Sequence, residues 1–336
     1  MALRDPLSGA SLLVVMPGDY GISGAFAANL EHLGSRHRVV RCNEYPGRMS
    51  LGQKVARLLH KLAGDRGYRR RFHKRNDMAK MWEQIGPDHF DYVLCIRPDL
   101  LPVEDLVRLK SRGRRCFAYT WDGLTRYAVT AEQRRCFEKL HVFDPMDARP
   151  SEGLPLLGNF YFDCYPELLP QITLPPADAY HIGAHDGRWP VIEKACRELL
   201  AIGLRPDVRQ FLHRGRAHVP FPPYVTKIFD HMPYEQALAE SLRCRLLLDI
   251  HNVGIHQGLS FRAFEAVGYG RKLVTTNPLV REQDFYRPSN IYCLGHDSRT
   301  LADFVAEPME ALPDAVRLRY GFSAWIRRAL DLPALQ

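Results

Sequence analysis

No run in this 336-residue chain approaches the roughly 20 consecutive apolar residues that cross a bilayer, so a membrane-spanning helix is not expected. The first apolar run, SLLVVM at 11–16, is cut by Pro17 and Gly18 and has neither the length nor the cleavage site of a signal peptide, which points to a cytoplasmic location. The eight cysteines are scattered and none forms a CxxC pair, so they read as reduced core residues and not as a zinc site or a redox motif. There is no HExxH, no DxD carboxylate pair at a strand end and no Cys/His cluster, so neither a metal nor a resident cofactor is expected. Glycines 18, 21 and 24 in PGDYGISG do not keep the GxGxxG spacing of a dinucleotide fingerprint. No RNP, KH or zinc-finger signature supports a nucleic-acid partner. There is also no 20–50-residue repeat and no low-complexity tract.

What is present is globular in composition, 46% hydrophobic and 25% charged, and long enough for about two domains. Short apolar runs alternate with helical patterns. Strands are expected at 11–16, in HRVVRC, at 91–96, at 116–121 and in HVFDP, with helices at 24–33, 103–110 and over AEQRRCFEKL. A long basic amphipathic stretch runs from about 51 to 84, and LPLLGNFYF reads as extended. The proline-rich segment 165–178 reads as a linker. The alternation then restarts, with strands in AYHIGAHDG, VRQFLH, CRLLLDI, RKLVTT and NIYCL. Helices follow at 189–202, 234–241, 259–268 and 298–305. One last helix is expected over 315–330. Strand and helix in strict alternation imply parallel sheets with crossover helices. The expected architecture is therefore α/β: two tandem Rossmann-like, doubly wound domains facing a cleft. The boundaries are 1–164, a linker at 165–178, a second domain at 179–312 and a C-terminal segment at 313–336 that packs back on the first domain.

Net charge is +8 with a sequence pI near 9.1, which favours a polyanionic partner. The densest basic run, Arg66 to Arg75, reads as a solvated face, as a contact for an anionic inner-membrane surface, or as a contact for nucleic acid.

The most informative stretch is LLLDIHNVGIHQGLSFRAFEAVGYGRKLVTTN at 246–277. It reads as strand, loop, glycine, helix, glycine turn, strand. Gly258 lets the backbone approach a ligand, and Ser260 is placed to cap the following helix. The free amides at that helix start suit a diphosphate, and Glu265, eight positions after Gln257, can accept hydrogen bonds from ribose hydroxyls. Arg262 and Lys272 can balance phosphate charge. Gly270 allows the turn into the next strand.

This segment resembles the donor-binding motif of GT-B glycosyltransferases, in which two acidic residues bracket a glycine-containing loop; here those positions are Gln257 and Glu265. EAVGYGRKLVTTN is similar to the stretch those enzymes write as Glu-Ala, small residues, Gly, Lys or Arg, then a strand ending in Thr. More narrowly, QGLSFRAFEAVGYGRKLVTTN with DFYRPSNIYCL resembles bacterial lipopolysaccharide or capsule biosynthesis proteins over about 232–295, with a weaker echo in AYTWDGLTRY at 118–127. The resemblance implies a GT-B fold with a nucleotide-sugar in the C-terminal half and a saccharide or lipid-linked acceptor on the N-terminal half. It also implies Glu265 on the ribose and Gly258, Leu259 and Ser260 near the phosphates or sugar. Gln257 departs from the acidic pattern: an amide can hydrogen-bond a sugar but supplies no charge.

Other candidates follow from position at strand ends. In HIGAHDGR, Gly183 and Gly187 can admit a phosphate and Arg188 can pair with it, while His185 can assist proton transfer or touch the leaving diphosphate. In the first half, Asp122 of YTWDG is the preferred general base, with Asp19 behind it; Gly18, Gly21 and Arg97 are acceptor-side candidates. The expected activity is metal-independent glycosyl transfer. The alternatives are a nucleotide-sugar epimerase of the same fold, and a non-catalytic basic binding protein.

Overall fold

The computed structural model describes the chain except residues 1–6, 8, 19–20, 44–48, 66, 166–176, 253 and 334–336. By its internal contacts the chain divides into two compact units. One holds residues 1–120, 127–141 and 151–154; the other holds 121–126, 142–150 and 155–336. The chain crosses between the units several times rather than a single time at 165–178, and most of that expected linker lies outside the described residues.

The first unit is built on a sheet ordered β2-β1-β3-β4-β5. Its strands are β1 (Ser11–Pro17), β2 (Arg36–Cys42), β3 (Phe90–Ile96), β4 (Gly113–Thr120) and β5 (Lys139–Val142). β1 pairs in parallel with both β2 and β3, and β3 with β4. Helices cover both faces of such a sheet, which is why the central strands read as continuous apolar runs: LLVVM of β1 and YVLCI of β3 are buried. The helices are α1 (Ile22–His32), α2 (Leu51–Leu62), α3 (Tyr68–Ile85), α4 (Val103–Lys110) and the single turn α5 (Ala131–Arg134). The stretch expected as one amphipathic run from 51 to 84 is two helices. α2 starts on a capping box between Ser50 and Gln53, and the chain breaks near Gly64, whose φ of 83° is left-handed.

The second unit carries a six-stranded sheet ordered β11-β10-β9-β6-β7-β8. Its strands are β6 (Ala179–Ala184), β7 (Pro206–Phe211), β8 (Val225–Ile228), β9 (Leu246–Asp249), β10 (Lys272–Thr275) and β11 (Ile291–Cys293), joined by parallel pairings. Its helices are α6 (Trp189–Ala201), α7 (Tyr234–Leu242), α8 (Phe261–Gly268), α9 (Leu301–Ala306), α10 (Asp314–Arg319) and α11 (Phe322–Ala329). β9 and β10 are buried along their whole length, and Leu246, Leu248 and Val274 join Ile192, Cys196 and Phe304 in one apolar core. The edge strand β8 was not expected, because VTKI is short and only partly buried, with no apolar run to mark it.

Two further expectations need correction. The last helix is not continuous over 315–330 but breaks at Gly321, where the chain bridges to Tyr161: the Tyr161 amide donates to the Tyr320 carbonyl and the Phe322 amide donates back to Tyr161. LPLLGNFYF is not a strand of either sheet. It makes only isolated bridges and supplies Phe160 and Phe162, on which Phe322 and Trp325 of α11 pack. Residues 155–163 and the C-terminal helices belong to the same unit. Among the described residues no helix is long and apolar enough to cross a membrane.

Candidate functional site

In a doubly wound sheet the chain leaves two adjacent strands in opposite directions, and ligands bind outside the carboxyl ends of those strands. In the second unit the strands are β6, whose chain proceeds to β7, and β9, whose chain proceeds to β10 on the other side. The residues that follow them are HDGR after β6 and IHNVGIHQGLS after β9.

Arg188 closes the β6 turn. Its guanidinium donates to both oxygens of Asp186 at 2.8–3.1 Å, and its Nη1 reaches the Ile250 carbonyl at 3.1 Å, tying the β6 and β9 ends together. Burial acts to raise the Asp186 carboxyl, but the bonds from Arg188 outweigh it and hold the group below its ordinary value. Arg188 therefore stands at the expected strand end, though with its charge already answered. Gly187 has open space around it. Gly183 faces His181, where an added Cβ would stand 3.1 Å from the imidazole Nε2. The ring of His185 packs edge-on against Trp189 and Phe221, and its buried Nδ1 has no partner among the described residues.

His181 itself lies on β6 and is buried. Its Nδ1 is 3.0 Å from the Leu248 carbonyl, so that nitrogen carries the hydrogen and Nε2 is left as a bare acceptor with no partner among the described residues. Burial, with help from the nearby charges of Arg262 and Arg188, lowers its pKa to about 3, so the ring is neutral at physiological pH.

At the end of β9, Asp249 accepts from Ser260 Oγ at 2.8 Å and from Thr275 Oγ1 at 3.1 Å. This corrects the role expected of Ser260. It occupies the N-cap position of α8, with extended φ and ψ of −67° and 162°, but its hydroxyl donates to Asp249 and makes no capping bond to the helix. The opening amides of α8 thus have no side-chain cap, at the positive end of the helix dipole. Arg262, one residue into the helix, lies 5.6 Å over the Tyr180 ring and keeps a buried Nη1 with no partner among the described residues.

Glu265 is 5% exposed, and its Oε1 accepts from the Tyr234 hydroxyl at 3.0 Å. Burial raises its pKa, opposed by the charge of Arg262 and the Tyr234 bond. Glu265, expected on a ribose, is therefore an interior group with one oxygen already engaged by Tyr234.

The loop before α8 is held from several sides. The Gln257 amide donates to Asp144 Oδ2 at 2.9 Å, Asn277 Nδ2 donates to the Gln257 carbonyl at 2.9 Å, and Asn159 Nδ2 donates to the Leu259 carbonyl at 3.0 Å. Gly258 is needed here for packing: a Cβ would stand 2.6 Å from the Phe143 ring. The close approach expected of this glycine is thus to the protein's own Phe143. Beside the loop, His251 and His256 meet with ring centroids 4.9 Å apart, and His256 packs on Phe143 at 5.0 Å. His251 is buried, its Nε2 has no partner among the described residues, and burial together with His256 lowers its pKa despite the nearby Asp249 and Asp144.

Lys272 does not belong to this end. It opens β10, at the opposite end of the strand from Thr275, and its ammonium donates to the carbonyls of Phe304 and Glu307. Asp122 falls in the second unit and pairs with Arg126 at 3.2 Å. Arg97 follows β3 in the first unit, buried, with a two-pronged bond to Asp99 at 2.7 and 2.8 Å and its guanidinium 3.6 Å over the Tyr127 ring. Engaged in this way, it is not an open acceptor contact. Gly21, with φ of 75°, starts α1, and the Gly18 amide donates to the Cys42 carbonyl at 3.3 Å. Asp19 lies outside the described residues.

His181, His251, His256, Asp144, Asp249 and Asn277 were not singled out from the sequence. The signal for two of them was present: in LLLDIH an acid and an imidazole directly end a buried apolar strand, where a sheet presents its chemistry.

No family model and no curated protein sequence matches the chain. Among solved structures it is similar to AviGT4, a glycosyltransferase involved in avilamycin A biosynthesis. The TM-score is 0.52 at 13% identity, covering 96% of this chain and 96% of that one. A UDP-GlcNAc 2-epimerase from Neisseria meningitidis, bound to UDP-GlcNAc, aligns over 96% of this chain and 98% of its own at 10% identity and a TM-score of 0.48. The first likeness is one of fold: two α/β units with parallel sheets, of the GT-B type. The second, below 0.5, adds nothing to it.

Proposed function

We propose that the chain is a glycosyltransferase that takes a sugar from a nucleotide-sugar held at the β6–β9 strand ends and transfers it to a saccharide or lipid-linked acceptor. The reading extends to bacterial surface polysaccharide synthesis, lipopolysaccharide or capsule, in the cytoplasm. The observation that carries it is the start of α8, where uncapped amides lie next to Arg262, whose buried Nη1 lacks a partner, within a fold of the GT-B type.

Helix amides and a guanidinium together suit a diphosphate, and they suit it better as it departs with added charge. The neutral Nε2 of His181 repels a phosphate oxygen but accepts from a sugar hydroxyl. The second oxygen of Glu265, which Tyr234 does not engage, accepts from a ribose hydroxyl. In the reaction a base takes the acceptor's hydroxyl proton, the acceptor oxygen bonds to the anomeric carbon, and the bond from that carbon to the diphosphate breaks. Asp122 is the proposed base; its carboxylate pairs with Arg126 at 3.2 Å. No step in this scheme calls on a metal or a resident cofactor.

Thermal denaturation with UDP, GDP, ADP and dTDP tests the reading. One of them raises the melting temperature, Arg262→Ala removes most of the rise, and Glu265→Gln reduces it. If none of the four shifts the wild-type transition, the nucleotide site is wrong. A nucleotide-sugar isomerised without an acceptor supports the epimerase in place of the transferase.

A further inference from the structure

α2 has an unusual surface. Surface helices turn an apolar stripe toward the core, yet α2 buries none of its twelve residues. At about 100° per residue, Leu51, Val55, Leu58, Leu59 and Leu62 fall on one stripe, and they are 81, 58, 57, 61 and 76% exposed. Lys54, Arg57 and Lys61 run along one flank of that stripe, and the helix contains no acidic residue. His60, on the far side, fastens the helix to α3: its ring stacks on Tyr68 at 4.5 Å and its Nδ1 meets Asp65 at 3.0 Å. Asp65 also pairs with Arg71. The attachment thus uses the back of α2 and leaves the leucine stripe outward.

Charge is concentrated in the same place. Residues 51–75 hold nine of the 46 Lys and Arg and one of the 38 Asp and Glu, a net +8. That equals the net charge of the whole chain, so the remainder is balanced. The cations continue on α3 into the wall of a cavity of about 730 Å³, where Arg69, Arg70, His73 and Lys74 gather with Asp77 and Asp99.

We infer that α2 is a docking helix for an anionic lipid bilayer, lying in the interface with its leucine stripe toward the acyl chains and its basic flank, with the start of α3, against the headgroups. An amphipathic helix rich in Lys and Arg that leaves large aliphatic side chains unpartnered has this chemistry. A cluster of four to eight cations beside it is what attracts a negatively charged leaflet. The inference concerns the first unit alone and stands apart from the nucleotide reading.

Co-sedimentation of the full chain with lipid vesicles decides it. The wild type binds vesicles of phosphatidylglycerol in phosphatidylcholine, binds pure phosphatidylcholine about tenfold less, and is weakened by salt. The double variant Leu58→Glu, Leu62→Glu loses about tenfold or more on the anionic vesicles while keeping its circular dichroism and melting temperature, since both side chains are exposed. Lys54→Glu with Lys61→Glu weakens binding to anionic vesicles alone. Failure of the wild type to bind anionic vesicles overturns the proposal. So does a leucine variant that binds like the wild type, which would leave only a polyanion site such as RNA would use. A solution dimer that the leucine substitutions dissociate, without vesicle binding, assigns the stripe to a second copy and also overturns it.

Discussion

The two sheets share a winding pattern but finish their strand ends differently. In the first, Arg97 leaves β3 in a left-handed conformation, φ 62°, and its guanidinium is taken up by Asp99 and Tyr127. In the second, His181, His251 and Arg262 each keep one buried polar atom with no partner among the described residues. Buried polar atoms are almost always satisfied, so these two imidazoles and a guanidinium mark where something else is expected to bind, whereas the first sheet leaves a hydroxyl, Thr120 Oγ1 at the end of β4, in that state among the described residues. The same topology can therefore end in a structural clasp or in a receptive site, and the partners of the charged groups tell which.

The sharpest way to break that contrast is Arg97→Ala. If the ion pair is structural, removing the cation leaves the Asp99 side chain, 10% exposed, unanswered, and urea denaturation at neutral pH reads a loss of about 3 kcal/mol, the low end for a buried pair. A loss below about 1 kcal/mol would make Arg97 as dispensable as a surface cation and end the comparison. Next in size is Gly258→Ala, expected to cost about 1–3 kcal/mol by forcing a methyl into Phe143. Nucleotide affinity should fall with it, because the same loop leads into α8.

The third test uses pH. His181 is held neutral, with a folded value of about 3 against an ordinary 6.5. The unfolded chain takes up its proton first, so this contribution is complete above 6.5 and is lost as pH falls from there toward about 3. The slope from this group is at most about 1.4 kcal/mol per pH unit. His181→Gln removes it, and unfolding free energies of the two proteins measured between about pH 7 and pH 5 should converge as pH falls. The smallest effect belongs to the first unit. Gly24 sits inside α1 with open space around it, so Gly24→Ala should stabilise by about 0.5–1 kcal/mol, opposite in sign to Gly258→Ala.

The α/β layout was legible because buried parallel strands advertise themselves: the runs around 11–16, 91–96 and 244–250 became β1, β3 and β9 with ends shifted by a residue or two. The helix start at Ser260 was legible too. What was not legible was the far side of each contact. A glycine at 258 announces a close approach but not that Phe143, more than a hundred residues earlier, is the neighbour. Ser260 looks like a cap until Asp249 claims its hydroxyl. Glu265 reads as a ribose contact, and nothing in the sequence shows that Tyr234, thirty-one residues earlier, already donates to it. The break at Gly321 is invisible in the periodicity of 315–330, because the residue that causes it, Tyr161, belongs to another segment.

The grip on residues 257–259 bears on how a ligand would be received. Asp144 and Asn277 hold both sides of Gln257, and Asn159 holds the Leu259 carbonyl, before anything arrives. A molecule landing at the head of α8 has little chain to order, so little of its affinity is consumed in arranging the receptor. Association there should be a single fast step without a slow conformational phase, and substitutions that loosen the clamp should appear in the dissociation rate.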